Sequence, residues 1–239
     1  MRPFKAQLYK ICDEVSSQFT GWSFVSGQFK NRTLKHTDLV IHPGFGFERG
    51  TTPVQPSVCI DNKRAQKLCK YVFGASASTS IVSLQTVSHL LQHTPEELRL
   101  GFWIVQDRKE YLSVGQPSQI VQGRTLDISG ARSALISMMQ DGIAFIDNHY
   151  ELGTEDSFLK GLPAKYTTRH VNSPYDQMEK FKGVVVCIAH ILYGDFDFVE
   201  RYRSDDFNTL FPKRTDDLDK IIAKLPEFKK RFAETGAVI

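Results

Sequence analysis

The chain predicts an α+β fold: a small antiparallel sheet with covering helices, followed by a helical C-terminal region. Short apolar runs with strand-like alternation crowd the first half. From about residue 126, apolar residues recur at helical spacing almost to the end. The links between the early strands are short and carry Gly and Pro, which suits hairpins rather than helical crossovers. The expected organisation is a sheet region over 1–125 and a helical region over 126–239, either separate or continuous as one domain.

Residues 3–19 read as an amphipathic helix, with Phe4, Leu8, Ile11, Val15 and Phe19 on one face and Gly21 after it. Trp22 and Phe24 share one face of a strand. Phe29 has the opposite parity, so Gly27 marks a turn between two strands. Leu39-Val40-Ile41 suits a further strand that Pro43-Gly44 interrupts, with Phe45 and Phe47 alternating beyond it. Pro53 and Pro56 bracket the approach to a strand at Ser57–Ile60. Asp61 to Phe73 is helical by pattern, Ala65, Leu68, Cys69 and Val72 sharing a face and Gly74 stopping it. Ile81–Val87 reads as a strand, Thr94-Pro95-Glu96-Glu97 as a helix start, and Gly101–Val105 as a strand that pairs with Tyr111–Val114.

In the second half, Ala131, Leu135, Met138, Met139, Ile143 and Ile146 are helix-spaced, with Gly142 inside the pattern. Thr154–Leu162 reads as a short helix ended by Pro163. Ser173-Pro174-Tyr175-Asp176 opens a long helix that Gly194 closes. Asp195–Leu210 follows. The last helix starts at Thr215-Asp216-Asp217, with Pro226 as a bend and Gly236 as its end.

Of the 239 residues, 41% are hydrophobic and 24% charged, the balance of a chain that can bury a sizeable core. Cys12, Cys59, Cys69 and Cys187 form no C-x-x-C pair and no zinc spacing, and three of them sit in apolar company. Buried free thiols fit a reducing compartment. The first residues carry charge but no apolar h-region, and the longest apolar run, Val184 to Tyr193, is too short for a bilayer. The expected setting is the cytoplasm, with no membrane partner and no cofactor. Residues 1–125 hold 15 Lys and Arg against 9 Asp and Glu, and residues 126–239 hold 15 against 18, so a basic half precedes an acidic one.

Three clusters are candidate sites. Ser57-Val58-Cys59-Ile60-Asp61-Asn62-Lys63 is an apolar strand ending in Asp-x-Lys. Metal-dependent nucleases of restriction-enzyme type use such an ending together with an acid on a neighbouring strand. The carboxylates hold Mg²⁺ and the lysine positions the attacking water. Asp38, Asp61 and Lys63 would carry that role, with Glu14 completing the acidic set. The other reading makes Asp61 the N-cap of the helix that follows. The second cluster is a basic stripe on that helix, Lys63, Arg64, Lys67 and Lys70, able to meet phosphates or an acidic surface. No aromatic residues interleave it, so nucleic acid is the less favoured partner. The third cluster is acidic: Asp195, Asp197, Glu200, Asp205, Asp206, Asp216, Asp217 and Asp219. A basic partner would be steered toward it. His89 and His93 are spaced to share a helix face but lack a third metal ligand nearby, and His190 lies in an apolar run. No Walker loop, Gly-x-Ser-x-Gly or dinucleotide fingerprint is present.

Three places carry a resemblance: the first helix with Gly21-Trp22-Ser23-Phe24 and Phe29-Lys30; the passage Pro56 to Lys63; and Asp141-Gly142-Ile143-Ala144-Phe145-Ile146-Asp147 with the later Gly194-Asp195-Phe196. In outline they resemble small bacterial α+β proteins of unknown function, some of them similar to immunity proteins that neutralise antibacterial toxins. The resemblance implies a non-catalytic protein that binds a protein partner, such as a toxin, and carries over no catalytic residue. The expected binding residues are Asp195, Asp197, Glu200, Asp205 and Asp206, or Lys63, Lys67 and Lys70.

Overall fold

A computed structural model describes residues 3–48, 50–74, 101–106, 125–166, 176–207 and 213–239. The readings made for 81–97, Tyr111–Val114 and Ser173-Pro174-Tyr175 lie outside the described residues. The fold is α+β: a small antiparallel sheet with helices, and a C-terminal region that is helical. The chain forms two interleaved units. One holds Met1–Thr33, Asp38–Cys59 and Thr86–Asn148, the other Leu34–Thr37, Ile60–Gln85 and His149–Ile239.

In the first unit, α1 (Pro3–Ser16) buries Phe4, Leu8, Cys12 and Val15. The buried stripe therefore passes through Cys12, and Ile11 is only half-buried. The helix stops short of Phe19. Ser16 and Ser17 turn their hydroxyls back onto the Asp13 and Glu14 carbonyls, a local alternative that competes with further helix. β1 (Trp22–Val25) and β2 (Gln28–Asn31) form the expected hairpin, with Phe24 opposite Phe29. Ser26 and Gly27 both have positive φ, +54° and +80°, as a two-residue type I′ connection requires. β3 (Thr37–His42) continues the antiparallel sheet from β2, Phe29 facing Ile41. β5 (Ser57–Asn62), whose residues from Ile60 on belong to the second unit, completes the order β1-β2-β3-β5. After His42, residues 43–48 are irregular rather than a strand. Phe45 and Phe47 pack with Tyr9 of α1, and Lys5 lies 5.1 Å from the Phe47 ring centroid.

A second sheet was not expected. β4 (Thr51–Val54) pairs antiparallel with β6 (Phe102–Val105), and β6 pairs in parallel with β7 (Thr125–Asp127). Pro53, taken as a bracket, stands inside β4 opposite Trp103. An edge strand tolerates proline because its missing N–H need not serve a neighbour, and β4 is an edge in the order β4-β6-β7. A single 3₁₀ turn, Ile128–Gly130, leads into α3 (Ala131–His149), which buries Ala131, Leu135, Met138, Met139, Phe145 and Ile146.

The second unit holds α2 (Lys63–Phe73), α4 (Glu155–Tyr166), α5 (Asp176–Leu192), α6 (Phe196–Arg203), α7 (Thr215–Ile222) and α8 (Leu225–Thr235). α2 buries Ala65, Leu68 and Cys69, and Gly74 ends it at φ +84°. Pro163 lies within α4 rather than after it; proline removes one helical hydrogen bond without stopping the helix. α6 ends earlier than its pattern suggested, because Ser204 is extended and its hydroxyl donates to the Arg201 carbonyl. Pro226 does not bend a continuous helix. It occupies the first turn of α8, where its missing N–H has no partner to lose. Among the described residues no helix is long and apolar enough to cross a membrane.

Gly142 lets α3 pack directly against Ile41 of β3. A Cβ there would sit 2.5 Å from Cδ1 and 2.9 Å from Cγ1 of Ile41, which is fully buried in β3. Alanine would add about 1 kcal/mol of helix propensity, but overpacking a closed core costs about 1–3 kcal/mol. The clash should win. Gly142→Ala is expected to lower stability by on the order of 1 kcal/mol, read as a lower thermal midpoint with unchanged far-ultraviolet circular dichroism.

Candidate functional site

The Asp-x-Lys passage is a structural junction, and its central residue is Asn62. Burial alternates along β5, so Val58, Ile60 and Asn62 face inward while Ser57, Cys59 and Asp61 lie on the less buried face. Asn62, fully buried, is the N-cap of α2: its Oδ1 accepts the Ala65 N–H at 2.8 Å. This corrects the expectation that Asp61 caps the helix. The strand runs one residue further than its apolar run, and the pleat turns Asn62 inward. The Asn62 side-chain amide donates to Thr37 Oγ1 at 3.0 Å and reaches Glu155 Oε2 at 3.5 Å. Thr37 donates its own hydroxyl to Glu155 Oε2 at 2.9 Å, and Glu155 Oε1 accepts the His36 N–H at 2.6 Å. The Lys63 N–H completes the junction on the His36 carbonyl at 2.8 Å.

Glu155 is held in place by local chemistry. It is the first residue of α4, where the helix dipole favours a carboxylate. Thr154 and Ser157 cap that helix reciprocally: Thr154 Oγ1 accepts the Ser157 N–H at 3.0 Å, and Ser157 Oγ accepts the Thr154 N–H at 2.9 Å.

The residues of the nuclease reading are distributed differently. Asp38 is buried in β3 of the first unit, with Arg32 Nε 3.5 Å from its Oδ2, and Asp61 and Lys63 belong to the second unit. Glu14 is engaged by Arg132 at 3.3 Å. Among the described residues no group of three His, Cys, Asp or Glu is placed to hold a metal ion. His89 and His93 lie outside the described residues.

The two charged clusters differ in what neutralises them. In the acidic set, Arg203 Nε is 2.6 Å from Asp219 and its Nη1 3.9 Å from Asp205. Arg214 and Lys220 both pair with Asp217. Lys229 meets Glu200 at 2.9 Å and Asp197 at 4.0 Å. Asp195 caps α6, its Oδ1 accepting the Phe198 N–H. Most of this acidity is thus paired within the unit. On α2, Lys63, Lys67 and Lys70 are exposed. Arg64 leaves the stripe: it is half-buried and donates to the Leu192 carbonyl at 3.3 Å. Neither Lys67 nor Lys70 forms an ion pair among the described residues.

Sequence reasoning missed the surroundings of Tyr71. This exposed tyrosine follows Lys70, and Lys224 Nζ lies 5.1 Å and Arg231 Cζ 5.8 Å from its ring centroid. Its hydroxyl donates to both Glu227 oxygens, at 2.7 and 2.8 Å. That bond holds the phenol above its usual pKa. The only signal in the sequence was a lone aromatic beside the lysines, since the partners lie more than 150 residues away.

His190 is buried, as its apolar neighbours implied. Its ring stacks on Phe198 at 3.5 Å and 4°. Nδ1 is 2.8 Å from Asp195 Oδ2 and 2.5 Å from the Tyr193 hydroxyl, whereas the buried Nε2 meets no hydrogen-bond partner among the described residues. Burial lowers the imidazole pKa against the raising influence of Asp195. Burial also pushes the Tyr193 phenol up to about 12, with Asp195 adding to the shift. The thiols of Cys12, Cys69 and Cys187 are buried and held protonated, Cys69 up to about 12. They pack as apolar groups rather than nucleophiles. No protein-family model, curated protein or solved structure matches this chain.

Asn62→Asp should keep the α2 cap but replace the donor facing Thr37 and Glu155 with a second carboxylate oxygen. A loss of about 2–4 kcal/mol is expected, combining a buried unpaired acceptor with like-charge repulsion. Asn62→Ala should lose about 1 kcal/mol from the cap and more from the donor withdrawn from Thr37 and Glu155, which stay bonded to each other. Urea denaturation checks both, and equal stability of wild type and Asn62→Asp would overturn the assignment.

His190 makes stability pH-dependent. Its folded pKa lies below the ordinary value of 6.5, so the unfolded chain takes up the proton first as pH falls. The stability from neutral His190 is therefore full above 6.5 and is lost as pH drops from there through the lowered folded pKa. The stability difference between wild type and His190→Gln should shrink between pH 8 and pH 5.5, measured by urea denaturation at each pH. His42, whose pKa is also lowered by burial, is present in both proteins and cancels.

Proposed function

We propose that this chain is a non-catalytic, cytoplasmic interaction protein, an immunity protein that neutralises a bacterial toxin by occupying its surface. One observation carries the reading: the outer face of α2 presents Lys67 and Lys70 exposed and without an ion pair among the described residues, beside Lys63, on a helix whose other face is anchored by Leu68 and Cys69. Of the two charged surfaces, the basic one is the better supported, because the acidic residues 195–219 are largely satisfied by Arg203, Arg214, Lys220 and Lys229. Exposed lysines that have no ion pair among the described residues, such as Lys67 and Lys70, suit electrostatic steering of an oppositely charged protein. The junction at Asn62 spends its polar groups on holding strand and helix together, a scaffold role rather than a reacting one.

The test is protection. Cells carrying this gene and a toxin-like reading frame beside it should survive toxin expression, and should die when the gene is deleted. Lys67→Glu with Lys70→Glu should abolish protection while the purified variant melts within about 1 kcal/mol of wild type, since exposed charges contribute little to folding. Full protection by the double variant would refute the α2 surface. Absence of protection by the wild-type protein would refute the immunity reading.

A further inference from the structure

The basic face of α2 does not end at its last lysine. Tyr71 lies at the end of the stripe, and the chain returns more than 150 residues later to surround it. Lys224, which immediately precedes α8, approaches the ring at 5.1 Å, and Arg231, two turns into α8, at 5.8 Å. Tyr71 is one of only two large hydrophobic side chains that stand exposed among the described residues. It is fixed by the hydrogen bonds of its hydroxyl to Glu227, and Arg231 Nε lies 3.5 Å from Oε1 of that carboxylate. The second unit therefore carries the exposed lysine stripe of α2 running up to a hydrogen-bonded aromatic, which Lys224 and Arg231 flank while Arg231 also pairs with Glu227.

We infer that this Tyr71-centred patch is a docking site for a carboxylate-rich segment of a protein partner. The inference deepens the reading of the chain as an interaction protein, and rests on it. Charge complementarity selects an acidic ligand. Tyrosine flanked by cations is the composition of an interface anchor: a rigid ring gives contact area at small entropic cost, and the cations pair with carboxylates at its rim. Phosphate ligands fit less well. The lysine stripe from Lys63 to Lys70 is only about 10 Å long at the helical rise, too short to track a nucleic-acid backbone. Lys224 and Arg231 both approach the Tyr71 ring, which narrows the face left for a base to stack on.

The test titrates the full-length, isotope-labelled chain with a short poly-glutamate peptide, and in parallel with a single-stranded oligonucleotide of equal charge. The peptide should bind saturably, with shift changes confined to α2 and the start of α8. Affinity should fall about tenfold or more in Tyr71→Ala, as for an interface anchor. It should fall similarly in Lys67→Glu/Lys70→Glu, whose exposed positions keep the fold if Tyr71→Ala does not, and should persist in Lys67→Arg. Peptide binding indifferent to these substitutions overturns the site, as does no peptide binding at all. Tighter oligonucleotide binding on the same residues overturns the assignment of a carboxylate ligand. In each of these cases the protection assay still reads the interaction function by itself.

Discussion

A strand that passes straight into a helix must solve two problems at one residue: it stops donating to the sheet, and it must satisfy the bare amides of the helix's first turn. Asn62 solves both because its side chain is donor and acceptor at once. The oxygen caps α2 and the nitrogen holds Thr37 and Glu155. Aspartate offers only acceptors and could not do the second. Through Glu155 the same bonds reach the first residue of α4 and the His36 backbone, so the start of two helices and the beginning of β3 are fixed by one buried polar cluster. The orientation of α2 depends on that cluster, and with it the direction in which Lys63, Lys67 and Lys70 face.

This dependence explains what could and could not be read from the chain. The turn at Ser26-Gly27 was visible because a change of parity across a glycine is a local signal. The stop at Gly74 and the buried face of α2 were visible for the same reason. The cap falls one residue beyond Asp61 because the pleat of β5, which no apolar side chain marks at its end, continues to Asn62. β7 and the pairing of β4 with β6 were invisible: the strands are short, one contains proline, and their partners are far apart in the chain. The Glu155 contact lies 93 residues from Asn62 and has no local signature. The same holds for Lys224 and Arg231 at Tyr71, so the basic stripe was legible and its aromatic centre was not.

The charge asymmetry of the sequence likewise changed meaning in three dimensions. An excess of acid in the C-terminal half suggested an acidic surface, yet Arg203, Arg214, Lys220 and Lys229 are threaded among those acids at pairing distance. Alternation of sign along short helices gives a self-neutralised surface. The milder basic excess of the first half includes three exposed lysines on one face of α2, where neither Lys67 nor Lys70 has an ion pair among the described residues. Local arrangement, rather than net charge, decides which surface can attract a partner.

The protonated thiols add a different property. Cys12 is sealed in the first unit, and Cys69 and Cys187 in the second, all three with ionisation suppressed by burial. A thiol in that condition reacts with an alkylating reagent only when its surroundings open. The rate at which each cysteine is labelled therefore measures the opening of its own unit. The chain carries internal clocks that report whether the two halves of its fold breathe together or independently.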